Sequence, residues 1–362
     1  MSINFNISRI RAFINKEKLY MFLLSFILLF NAMIIFSERL PPFSARGGSA
    51  FGGKESAPET ILEAPEEIDW TKVLQEHKQV PVIISIFGFL ALFAFSLGLF
   101  LDIRILMAKI KKRDILKEFS PHLGINWRVW DIFRLAIIFA SLGYALQIVE
   151  ANLLSFASDE EGALKLIPLL NAGIMDLALL GFIIYFVKVK YRQSLEVVGL
   201  KIKGAIRGVF LALFSYIAFL PVFAFLLLLL ILAAKLFNYH PPQQEVFKVF
   251  LQENRLWFLI YSTAMVVILG PIVEEIFFRG FAYNALKKRW GVPWAMSLTA
   301  LVFAGLHANL FGFLPIAALG FLLAYVYEKT GSLIPSIAIH MLHNSLMVLM
   351  LFMGRYFMGL GQ

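Results

Sequence analysis

The sequence predicts an all-α fold: a transmembrane helical bundle of eight or nine spans. Three observations predict it. The 362 residues are 60% hydrophobic and the mean hydropathy is +0.78, well above what a globular domain carries. Apolar runs of at least 17 residues recur along the chain, each of a length suited to crossing a bilayer as a helix. The basic residues gather between those runs, the pattern of cytoplasmic loops facing anionic lipid. The formal charge of +9 is thereby explained by topology, and no nucleic-acid partner is implied. There is no cysteine, which excludes disulfides, thiol nucleophiles and Cys-ligated zinc.

Taken in order, the candidate spans are 19–37, 80–101, 129–149, 166–187, 208–237, 256–286, 293–311, 313–327 and 334–353. Arg9, Arg11, Lys16 and Lys18 outnumber Glu17 in the first twenty residues and place the N-terminus in the cytoplasm. The loop 102–128 holds seven Lys/Arg against three acids, and 188–207 holds six against one. Both read as cytoplasmic. Asp159, Glu160 and Glu161 mark an outside loop between them, and Lys287, Lys288 and Arg289 mark a further inside loop. The stretch Gly312–Gly320 is short enough to be read either as part of a span or as a re-entrant turn.

Residues 38–79 contain Pro41, Pro42, Gly47, Gly48, Gly52, Gly53, Pro58 and Pro65. They read as a flexible external segment, with a short helix over Glu66–Lys78. The first span is long for a signal peptide and no small-x-small cleavage site follows it, so an uncleaved anchor is expected. No internal repeat is visible. The chain is divided into an N-terminal accessory membrane region, 1–190, and a C-terminal part, 195–353, that holds the chemistry.

That chemistry is signalled by polar residues where lipid-facing sequence has none. Charges at membrane depth are costly and normally face a cavity. The sixth span carries Glu274-Glu275-Ile276-Phe277-Phe278-Arg279, the seventh places His307 after the apolar run Leu298–Leu306, and the ninth carries His340-Met341-Leu342-His343-Asn344. Pro271 is expected to kink the sixth helix, placing Glu274 in the first turn of a new segment where a helix N-terminus favours negative charge. Glu275 and Arg279 stand i, i+4 and can pair, while Glu274 points about 100° away and is left to act as a base. Thirteen residues separate Glu274 from Lys287, a depth of ~20 Å at the helical rise, and fourteen separate His307 from Pro293, ~21 Å. A carboxylate and an imidazole at one level can share a water and take its proton.

His340 and Asn344 share a face at i, i+4 and could donate hydrogen bonds to an oxyanion. Counting from Pro335 puts His340 only ~8–10 Å deep, shallower than Glu274. His343 is one residue off that face and is expected to bond a neighbouring helix. Asp131 and Asp176 sit in separate spans and read as packing residues rather than a dyad. There is no H-E-x-x-H zinc site and no Gly-x-Ser-x-Gly elbow.

Glu274-Glu275-x-x-x-Arg279, Phe303-x-x-x-His307 and His340-x-x-x-Asn344 together resemble the three motifs of the CAAX protease and bacteriocin-processing (CPBP) intramembrane proteases. That family includes the type II CAAX prenyl endopeptidases and abortive-infection-like proteins. The resemblance covers residues 195–353, and Ser194–Leu200 is similar to the family's lead-in segment. It implies a membrane-embedded endopeptidase in a bacterial or archaeal plasma membrane, acting on a protein or peptide substrate at the bilayer, with CAAX-type processing by analogy. Glu274 and His307 would activate water, His340 and Asn344 would stabilise the oxyanion, and Glu275, Arg279 and Phe303 would support the motifs. Zinc held by Glu274, His307 and His340 is permitted but demanded by no spacing rule. Two other classes stay open at this stage: a non-catalytic immunity or scaffold protein, and an ion-coupled transporter, although a transporter usually shows repeated halves.

Overall fold

The computed structural model describes residues 17–39, 74, 77, 79–111, 124–156, 160–201, 204–239 and 245–360. Arg9, Arg11, Lys16, Asp159, nearly all of the segment 38–79 and the helix expected over Glu66–Lys78 lie outside them. Among the described residues the secondary structure is helical, with no strand. The helices are α1 (Lys18–Arg39), α2 (Gln79–Ile110), α3 (Val129–Phe156), α4 (Glu160–Ile184, continued by a π-turn over Tyr185–Lys190), α5 (Ala205–Leu236), α6 (Glu245–Gln252), α7 (Leu256–Trp290), α8 (Val292–Leu306), α9 (Phe313–Thr330) and α10 (Leu333–Leu360). Seven of them are long and apolar enough to cross a membrane, and Lys18–Asn31 and Val292–Leu306 are shorter apolar helices. Each of the nine apolar runs therefore forms a helix. The eighth run, which could have been a re-entrant turn, is an 18-residue helix.

The chain forms two compact units, one of Met1–Pro65 with Trp130–Phe182, the other of Glu66–Val129 with Ile183–Gln362. In the first, Asn31 on α1 donates to the Tyr144 hydroxyl on α3 at 2.7 Å. Glu17 pairs with Arg134, which also binds Asp131 at 2.8 Å. Each buried charge thus meets an opposite one, as a low-dielectric setting requires.

In the second unit α5, α9 and α10 pack around a core of Ala212, Tyr216, Leu319, Leu323, Val326 and Ile339. Helix α2 packs on α5, and its Gly98 explains how closely. A Cβ there would fall 2.3 Å from the Ile217 carbonyl oxygen and 2.8 Å from Pro221. Small residues permit such backbone approach in membrane helices, where van der Waals contact drives association. Elsewhere α2 turns Phe89, Leu92 and Phe93 outward, each more than half exposed, as a lipid-facing helix does. Between α6 and α7, Glu253 accepts two side-chain hydrogen bonds from Arg255. That guanidinium holds the Glu253 carboxyl down to a pKa of about 2.

Candidate active site

Helix α7 carries the first motif, and its irregular backbone decides where the motif points. It is α-helical over Leu256–Ala264, widens to a π-turn over Met265–Leu269, and returns to α over Gly270–Glu275. It widens again over Ile276–Tyr283 before finishing as α over Asn284–Trp290. At Pro271 the chain changes register without leaving the helix. Helix continues on both sides of the proline, so Glu274 lies in mid-helix and gains nothing from a helix N-terminus. The physical reason is that a π-turn absorbs a residue with no N–H without breaking the rod.

The first π-turn leaves one carbonyl stranded. Gly270 N–H reaches back to Met265 O, and Pro271, next in line for Val266 O, has no proton to give. A carbonyl without a donor costs several kcal/mol away from water. Asn344 on α10 fills the vacancy, its Nδ2 donating to Val266 O at 2.8 Å.

Glu275, at the end of the α segment, and Arg279, in the second wide stretch, are both fully buried and paired, Nη1 to Oε1 at 2.5 Å. Arg279 Nη2 donates to Gly320 O on α9 at 2.9 Å. Its guanidinium lies 4.8 Å from the Phe303 ring centroid on α8, a desolvated cation–π contact of about 2 kcal/mol. His340 on α10 points Nδ1 at the same Glu275 Oε1, 3.1 Å away. One carboxylate oxygen therefore holds α7 to α10, and Arg279 carries the link on to α8 and α9.

Glu274 stands outside that knot. Its side chain is 34% exposed, and its Oε2 lies 3.7 Å from His340 Nε2, too long for a hydrogen bond but within ion-pair range. Oε2 is itself buried and has no hydrogen-bond partner. The adjacent glutamates thus differ in surroundings: one is locked to an arginine and the other carries an open carboxylate facing an imidazole.

His307 terminates α8, and the next residue, Ala308, takes a left-handed backbone at φ 48°. Its Nδ1 lies 2.8 Å from Phe303 O. A carbonyl only accepts, so Nδ1 carries the proton and Nε2 of the neutral ring keeps a lone pair. Among the described residues no hydrogen bond or ion pair joins His307 to Glu274. Phe303 stands between the two histidines, its ring edge-on to His307 (4.8 Å) and to His340 (5.6 Å). His343 lies apart from this group, Nδ1 3.0 Å from the Tyr216 hydroxyl on α5 and edge-on to Phe223.

The depth mismatch of His340 disappears. Simple counting put Glu274 ~20 Å from the inner end at the α rise, but Ile276–Tyr283 are π-helical. Turns closed at i→i+5 hold more residues each and shorten this part of α7; the meeting itself is seen in His340 Nδ1 at 3.1 Å from Glu275 Oε1 and Nε2 at 3.7 Å from Glu274 Oε2. Glu274, His307 and His340 do not converge on a metal position. Among the described residues no three His, Asp or Glu side chains form such a group.

Three supports were invisible in the motifs. Gly320 supplies the carbonyl for Arg279, and a Cβ there would fall 3.1 Å from Ala300 Cα and 3.2 Å from the Phe303 ring. Trp127 donates to Phe281 O at 2.9 Å and stacks on the Phe281 ring. Asn284 donates to Gly280 O at 2.8 Å and to the Tyr327 hydroxyl at 2.7 Å, and that hydroxyl donates to Val198 O. The last contact explains the lead-in segment: Val198 packs on Gly280, where a Cβ would come within 3.1 Å of it. A small residue at a helix crossing is the signal that could have found Gly280 and Gly320.

Residues 255–346 match the type II CAAX prenyl endopeptidase Rce1-like family. A segment of 83 residues is 34% identical to the Bacillus subtilis (strain 168) protein named "Putative membrane peptidase YdiL". That segment is 23% of this chain, and the chain spans 34%, about a third, of the relative's length. No solved structure matches the chain at a comparable level of significance. The matched region runs from the start of α7 into α10 and contains the Glu275–Arg279 knot, Glu274, His307, His340 and Asn344. Residues 255–346 of this integral, multi-pass membrane protein thus carry its likeness to the type II CAAX prenyl endopeptidase Rce1-like family and, with it, to the CPBP proteases.

Proposed function

We propose that the protein is an intramembrane endopeptidase that hydrolyses a peptide bond in a membrane-associated protein or peptide, with CAAX-type processing the nearest analogy. The observation that carries this reading is the Glu274 carboxylate. It has an unpartnered oxygen 3.7 Å from His340 Nε2, beside a second carboxylate already committed to Arg279.

In the proposed reaction Glu274 takes a proton from water as the water oxygen bonds to the scissile carbonyl carbon. His307, with its bare Nε2, orients that water from the end of α8. The carbonyl electron pair moves onto oxygen and is received by His340 Nε2–H and the second amide N–H of Asn344. The Glu275 carboxylate, 3.1 Å from Nδ1, holds that ring so that Nε2 faces the substrate. Collapse re-forms the carbonyl, breaks the C–N bond, and Glu274 passes its proton to the leaving amine. The products are a new carboxylate and a free amine. Zinc on Glu274, His307 and His340 would need these side chains to converge, so no step is routed through a metal.

The same reading places the N-terminus and the 102–128, 188–207 and 287–292 loops in the cytoplasm, with the site reached from that side. The deciding experiment is cleavage of a quenched peptide library by the purified protein in liposomes. Cleavage lost in Glu274→Gln is the expected result. Unchanged cleavage in that variant, or ion-driven uptake without cleavage, overturns the reading.

A further inference from the structure

We infer that Pro271 and Asn344 form a matched pair that sets the register of α10 against α7, so that Asn344 is a positioning residue as well as an oxyanion donor and Pro271 is a positioning residue in its own right. The inference rests on the proposed hydrolysis and goes beyond the motifs, which include no proline and give Asn344 no partner on α7.

The geometry is specific. With Gly270 N–H committed to Met265 O, the helical donor still due to Val266 O is residue 271, and proline has none. Asn344 Nδ2 supplies the missing proton from another helix at 2.8 Å. Asn344 lies one turn from His340, and Pro271 lies one turn from Glu274 and Glu275, so each member of the strut is i, i+3 or i, i+4 to a site residue. A shift of α10 by one residue would rotate Asn344 off Val266 O. It would also carry His340 away from Glu275 Oε1, at 3.1 Å, and from Glu274. An unmet carbonyl in a water-poor site penalises every such slip. The proline therefore creates a demand that one register of α10 can satisfy, and an amide, which has two N–H groups, can meet it while keeping one for substrate.

A double-mutant cycle on the full-length protein in liposomes tests this. Asn344→Ala should lower kcat/KM by more than the ~10²–10³ of a lost oxyanion donor, because the register loosens too. Pro271→Ala restores a main-chain N–H to Val266 O. In that background Asn344→Ala should cost about tenfold less than in the wild type, the worth of one buried acceptor left unmet. Pro271→Ala alone should lower kcat per folded molecule, since α10 no longer has one enforced register against α7; a merely stabilising residue would lower the folded fraction and leave kcat per folded molecule in place. Additive effects of the two substitutions, or an unchanged kcat per folded molecule in Pro271→Ala, would overturn the strut. Activity retained in Glu274→Gln would instead remove the hydrolytic reading, so the two failures are distinguishable.

Discussion

Replacing Glu275 by glutamine should destabilise the protein far more than the same change one residue earlier. Arg279 is fully buried and has three supports: Glu275 Oε1 at 2.5 Å, Gly320 O at 2.9 Å and the Phe303 ring at 4.8 Å. Only the first is an opposite charge among these. Glutamine keeps the shape and can still accept a hydrogen bond, but it leaves the guanidinium uncompensated. Breaking a buried pair in this way costs about 3–5 kcal/mol. For a unit of this size 1 kcal/mol moves the melting temperature by roughly 2–4 °C, so a drop of about 6–20 °C is expected. Glu274→Gln removes a carboxylate that is one-third exposed and makes no hydrogen bond, so its melting temperature should stay within a few degrees of wild type while hydrolysis is lost. Thermal unfolding in detergent, followed by near-UV circular dichroism and paired with peptide cleavage, separates the two. Equal losses of stability in both variants would refute the division of labour between the glutamates.

Four further outcomes check the same arrangement and its orientation. His340→Ala should cut turnover by ~10²–10³ and also lower the melting temperature, because Glu275 loses its imidazole neighbour. His343→Ala loses a Tyr216 contact worth ~1 kcal/mol or less and should keep near-normal turnover; a large kinetic loss at His343 would mean that its face of α10 lines the site. Gly320→Val should impair activity and stability together, since its side chain would press on Ala300 and Phe303; wild-type cleavage and melting would show that α8 and α9 can part there freely. With no native cysteine, single cysteines at Lys201 and Lys288 should react with impermeant reagents from the cytoplasmic side alone, and one at Glu160 from the outside alone; labelling of position 288 on intact cells would invert the topology.

The sequence by itself determined that the chain is helical and membrane-spanning, because hydropathy is a local property and a bilayer admits few alternatives. It also determined the Glu275–Arg279 pairing, since residues four apart on a helix meet whatever surrounds them. It placed His343 off the His340–Asn344 face for the same reason. Pattern could not reveal that Pro271 would be absorbed in a π-turn rather than break α7. That outcome depends on Asn344 meeting Val266 O, 78 positions before it. Nor could counting along separate helices bring His340 to Glu274, because their meeting is set by how α10 packs on α7, through His340 on Glu275 and Asn344 on Val266 O. The wide stretch Ile276–Tyr283 is held by Trp127, Asn284 and Tyr327, which no motif names. Local periodicity writes which face a side chain takes, whereas the spare donors and acceptors of an irregular helix are met by distant residues, and that matching exists only in the folded bundle.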